Sequence, residues 1–132
     1  MKAQVKLPYC TPTPREARQK LREAKLTERN ARNAVDGLKE HLKATKLELE
    51  AAEAELEQVE RNLLDAPDET DEAAVADAEH AKAWKRVLVA ERGIENLEST
   101  IGAAKVELAD ARRVLRGARE DAEAVRMGRR KK

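Results

Sequence analysis

The sequence contains no phenylalanine, one tryptophan and one tyrosine among 132 residues. Large rings supply much of the burial in a thick globular core, so this chain must bury its apolar surface through a narrow aliphatic seam. Its single cysteine, Cys10, excludes an internal disulfide and points to a reducing compartment. No apolar run approaches the ~20 residues that a membrane helix needs. Residues 1–8 lack the apolar stretch of a secretory signal. A cytoplasmic protein with no membrane partner is the expectation. The few glycines are scattered and form no phosphate-binding loop.

What is present is helix-forming and charged. Ala, Glu, Lys, Arg and Leu make up 84 of the 132 residues, and 40% of the chain is charged. That bias, with helical periodicity, indicates a coiled coil or long helix. The net charge is only +1, but it is unevenly spread. Residues 1–32 carry net +6, residues 111–132 net +6, and residues 33–110 net −11.

The one convincing break is Asp65-Ala66-Pro67-Asp68-Glu69-Thr70. Pro67 disfavours helical geometry at Ala66, and Asp68 and Thr70 are candidate caps for a second helix. Upstream, Pro8 and Pro12 prevent a helix in residues 1–12, which read as an extended or disordered arm. Val5, Leu7 and Tyr9 are the side chains through which that arm could instead dock. Thr13-Pro14-Arg15-Glu16 is a capping box with proline at the first helical position. The reading is therefore a helix over 13–65, a turn over 66–70, a helix over 71–127 and a basic tail over 128–132.

Alternating four- and three-residue spacing runs through both helices without a slip. In the first it comprises Ala17, Leu21, Ala24, Glu28, Ala31, Val35, Leu38, Leu42, Thr45, Leu49, Ala52, Leu56, Val59 and Leu63. In the second it comprises Ala73, Ala76, His80, Ala83, Val87, Ala90, Ile94, Leu97, Ile101, Ala104, Leu108, Ala111, Leu115, Ala118, Ala122 and Val125. A strict heptad repeat of this length requires a partner helix. Folding the chain back so that paired residue numbers add to 139 sets large against small at most levels, with Leu42–Leu97 and Leu38–Ile101 as a bulkier middle. Leu56 then meets Ala83, Ala52 meets Val87, Ala24 meets Leu115 and Leu21 meets Ala118. A register shifted by one heptad also alternates, but it crowds the turn. The predicted fold is all-α, a long antiparallel two-helix coiled-coil hairpin that dimerises into a four-helix bundle. The competing arrangement is one continuous helix paired with another chain.

Several residues fall outside that scheme. Gly37 and Gly102 also add to 139, so both helices are weakened at one level, either as tolerated weak spots or to permit a bend or the close approach of a second hairpin. Trp84, Leu88 and Ala81, with Ala78 and Ala74, lie off the seam near the turn, and Leu64 belongs to the other helix nearby. They read either as a side chain covering the seam's flank or as a partner-binding patch. Leu26, Leu47, Val89, Val106 and Val114 are further apolar residues off the seam.

No chemistry is indicated. His41 and His80 have no Cys or His neighbour at ligand spacing, so neither a metal nor a cofactor is implied. His80 reads as a register-specifying polar residue. The abundant carboxylates read as solvated partners of Lys and Arg. No residue is assigned a catalytic role, and an enzyme subunit would need a partner to complete its site. The basic residues are the stronger lead. Arg112, Arg113, Arg116 and Arg119, with Arg129, Arg130, Lys131 and Lys132, are candidates for anion or nucleic-acid binding, beside Arg15, Arg18, Lys20 and Arg22. Without interleaved aromatics, any nucleic-acid contact would run through the backbone and be steeply salt-dependent.

The leading functional expectation is a non-enzymatic protein–protein interaction or assembly module. Its partners would be itself, as a homodimer, and a further protein. A nucleic-acid-associated protein is the alternative. Scaffolding proteins, adaptor arms and small phage proteins share this shape, a likeness that assigns no function.

Overall fold

The computed structural model describes residues 12–131, and the side chains of residues 12–128. Residues 1–11 of the N-terminal arm, Lys132, and the side chains of Arg129, Arg130 and Lys131 lie outside that description. Helix α1 spans Pro14–Asp65 and helix α2 spans Asp71–Lys131, joined by a turn over 66–70. The two helices pack against each other as a hairpin with no strand among the described residues. The continuous single helix is thereby excluded. Helix α2 also differs from the sequence reading at its end. It passes through Met127 and Gly128 to Lys131, because glycine weakens a helix without terminating it unless a left-handed cap follows.

The caps explain where the helices begin. At α1, the Glu16 amide donates to Thr13 Oγ1 at 3.1 Å, and the Thr13 hydroxyl lies 3.1 Å from Glu16 Oε1. The Glu16 carboxylate therefore takes the cap's hydroxyl as its partner. At α2, Thr70 is the cap. The Ala73 amide donates to Thr70 Oγ1 at 3.2 Å, and that hydroxyl donates to the Pro67 carbonyl at 2.7 Å. Between Pro67 and Thr70 the chain reverses through Glu69, whose φ is 60°. A side chain costs ~1 kcal/mol or more in that left-handed conformation.

The chain divides into two compact units. In Asp36–Ala103, which contains the turn, the core is Ala52, Leu56 and Val59 of α1 against Ala83 and Val87 of α2, with Leu49 packed beside them. Thr45, the seam's hydroxyl residue here, is buried, and its Oγ1 donates to the His41 carbonyl of its own helix at 2.9 Å. The seam therefore accommodates a polar residue without an unsatisfied donor. The second unit comprises Pro14–Val35 of α1 and Ala104–Lys131 of α2. Its core is Ala24, Leu115 and Ala118, with Leu21 packed on them. Every position of the four-three spacing in either helix is buried or half-buried.

Cross-helix contacts fix the register in each unit. Glu55 pairs with Arg86, Glu60 approaches His80 at 3.5 Å, and Glu28 approaches Arg112 at 3.5 Å. A Cβ on Gly93 would lie 3.5 Å from Thr45 Cγ2. Each pair adds to within two of 139, so the heptad-shifted alternative is excluded.

Gly37 and Gly102 do not mark a close approach of the two helices within the hairpin. Both are exposed and helical, and an added Cβ on either would meet nothing within 4 Å among the described residues. Gly37→Ala and Gly102→Ala are each expected to stabilise the protein by roughly 0.5–1 kcal/mol, because each removes backbone freedom from the unfolded chain and fits the helix. Glu69→Gly should stabilise by less than about 1 kcal/mol, since the relief at positive φ is partly offset by a freer unfolded chain. Denaturant titration of the three variants checks both the sign and the order.

Candidate functional sites

Two surfaces emerge, one in each unit. Both are built from positions that directly follow a seam residue. Such a position lies beside the apolar stripe, on one flank of its helix.

In the turn-containing unit, Ala81, Trp84 and Leu88 follow His80, Ala83 and Val87 on successive turns of α2. Their three- and four-residue spacing brings them onto one face. Trp84 is 50% exposed and Leu88 44%, so packing in the hairpin leaves about half of each in water. Ala81 is exposed as well. Leu64 is 84% exposed, and the register sets it level with Val75. That is about 13 Å from Trp84 along the axis at ~1.5 Å per residue. Leu64 thus stands at the turn, apart from the indole. Carboxylates surround the Trp84 face on the same flank: Glu50, Glu53, Glu57 and Glu60 of α1, and Asp77, Glu91 and Glu95 of α2. Among these, Glu57 pairs with Arg61 at 3.9 Å and Glu60 approaches His80 Nε2.

In the other unit the corresponding flank is cationic. Helix α1 contributes Arg18, Arg22, Lys25, Arg29 and Arg32, and α2 contributes Lys105, Arg112, Arg116, Arg119 and Arg126. Glu28, Arg32, Arg112, Leu115, Arg116 and Arg119 line one shared groove. Glu28 is a seam residue whose side chain is only 13% exposed, and its carboxylate lies 3.9 Å from Arg32 and 3.5 Å from Arg112. One acid, held partly out of water, thus ties two cations of the flank to the seam. Arg126 pairs with Glu123. Among the described residues no carboxylate lies within ion-pair distance of Arg116 or Arg119.

The sequence-predicted anion residues therefore separate. Arg112, Arg116 and Arg119 come together in the groove. Arg113 points elsewhere and pairs with Asp110 at 3.1 Å. The side chains of Arg129, Arg130 and Lys131, and all of Lys132, lie outside the described residues. Arg22, Lys25, Arg29 and Arg32 complete the flank on α1. Reading the residue after each seam position picks out this row, whereas counting charge by segment does not. Lys20 lies on the opposite flank of the same unit, in a groove with Glu23, Glu107, Asp110 and Asp121.

His41 and His80 are far apart in sequence on different helices, and no group of three or more His, Cys, Asp or Glu is placed to hold a metal ion among the described residues. No helix among them is long and apolar enough to cross a membrane. No family model, curated protein or solved structure matches the chain.

Glu28→Gln keeps the shape of the side chain and removes the one carboxylate within the cationic groove. It is expected to lower stability by roughly 0.5–1 kcal/mol at low salt, a modest value because both partner arginines are more than half exposed. The loss should shrink as salt screens the remaining cations. Thermal unfolding of both proteins across a salt series measures it.

Proposed function

We propose that this chain is a non-enzymatic protein–protein interaction and assembly module that associates with itself through its helical faces. The supporting observation is the exposed Trp84–Leu88 face. The hairpin closes its own apolar seam, yet leaves an indole and a leucine half in water on adjacent turns. Tryptophan in such a setting is a frequent anchor of protein interfaces. Two helices bury only one stripe each, so a second hairpin offers the nearest cover, and a dimer forming a four-helix bundle is the assembly this favours.

A second reading draws on the cationic groove: association with nucleic acid through its phosphate backbone. Arg116 and Arg119 project there without a carboxylate partner among the described residues. Binding of this kind would be non-specific and would fall steeply with salt.

The test is a double substitution, Trp84→Ala with Leu88→Ala, followed by sedimentation mass over a concentration series. Helicity should persist, because neither side chain belongs to the buried seam. Self-association should weaken about thirtyfold or more, the scale of losing one interface anchor. An unchanged mass profile would count against the apolar face. A chain that is monomeric from the outset but shifts duplex DNA at low salt would favour the second reading.

A further inference from the structure

Met1–Val35 with Ala104–Lys132 hold 19 Lys/Arg and 8 Asp/Glu, net +11. Asp36–Ala103 hold 8 Lys/Arg and 18 Asp/Glu, net −10. The near-zero total charge thus conceals two units of almost equal and opposite charge. Within each, the flank that follows the seam is the more one-sided. In the first it carries ten Lys/Arg against one carboxylate, Glu123, and in the second it carries the exposed indole with nine carboxylates against three lysines, Lys39, Lys43 and Lys46.

We propose that the cationic flank of the first unit is the seat for the Trp84 face of a second copy of this chain. This deepens the self-association reading and rests on it. Three observations carry it. First, the cationic flank sets like charges against each other across the helix pair. In the observed register Arg18 lies within two residues of the level of Arg119, and Lys25 within two of the level of Arg112. Like charges so placed repel, and the relief that the unit itself supplies in the groove is the single carboxylate of Glu28. Second, the Trp84 face offers what arginine recognises: an indole face for a guanidinium to lie on and carboxylates that accept bidentate hydrogen bonds. Glu50, Glu53, Asp77 and Glu91 have no ion-pair partner among the described residues. Third, a second copy neutralises both surfaces. A nucleic acid would satisfy one unit and be repelled by the other, and a chain of net +1 exerts little long-range pull on a polyanion.

The experiment uses two charge-reversed full-length chains. One carries R22E, R29E, R116E and R119E; the other carries E50K, E53K, D77K and E91K. All eight positions are exposed, so helicity should survive, and circular dichroism checks that it does. Each variant alone should self-associate at least about tenfold more weakly than the unaltered chain, one tenfold step being the loss of a few screened contacts. An equimolar mixture should regain association, because each surface again meets its opposite. The unaltered chain should dissociate progressively as salt is raised.

Folded variants that associate as well as the unaltered chain, or a mixture that stays dissociated, would overturn the proposal. In either case the self-association reading survives if Trp84→Ala with Leu88→Ala still lowers the mass. An unaltered chain that is monomeric at every concentration sinks both. Duplex DNA that displaces the second copy from the unaltered chain, and fails to bind the R22E/R29E/R116E/R119E chain, would assign the flank to nucleic acid instead.

Discussion

The fold depends on a single contact: one stripe of small and medium aliphatic side chains pressed against another. Two helices have no third layer to share burial with. Packing density must come from size complementarity at most levels, with Leu56 over Ala83 and Leu115 over Ala24. Alanine is therefore a structural choice here. It lets the opposing leucine or valine reach the partner backbone, and it keeps helix propensity high. The same economy explains why phenylalanine is absent. A ring at any level would force the helices apart and open the levels beside it.

A seam this thin leaves most side chains in water, and they carry information that the seam cannot. The charges are not mixed at random around the hairpin. Along the positions that follow the seam they are mostly cationic in one unit and mostly carboxylate, around an apolar patch, in the other. Evenly interspersed charge would serve solubility equally well. Sorting carries a cost in like-charge repulsion, and Glu28 offsets part of it from within the seam. Thr45 and Glu28, the two polar members of the α1 stripe, thus do different work. The first satisfies itself on its own helix, and the second reaches outward to the flank.

Much of this was legible from residue spacing alone. The strict four-three pattern marked every seam residue, and the large–small alternation selected the register that Glu55–Arg86 and Glu28–Arg112 display. Pro67 with its acidic neighbours located the reversal. The remainder required geometry. Thr70 rather than Asp68 caps α2, because its hydroxyl reaches both the Pro67 carbonyl and the Ala73 amide. Gly128 looked like a stop, yet the helix continues to Lys131. Leu64 looked like a neighbour of Trp84, but closeness to the turn in sequence is not closeness along the helix axis. Arg113 looked equivalent to Arg112 and Arg116, although one residue is a turn of about 100° and sends it to another face.

The hairpin also imposes an order in time. Leu63 and Ala76 are about a dozen residues apart in the chain, whereas Leu21 and Ala118 are separated by nearly a hundred. Closing the longer loop first would forfeit more chain entropy, so pairing beginning beside the bend and travelling outward is the cheaper route. While the ribosome is still extending α1, its leucine row has nothing to lie against. The dense charge on its other faces opposes sticking of that helix to its neighbours before α2 closes over it. On that route the levels nearest the cationic groove are the last to close.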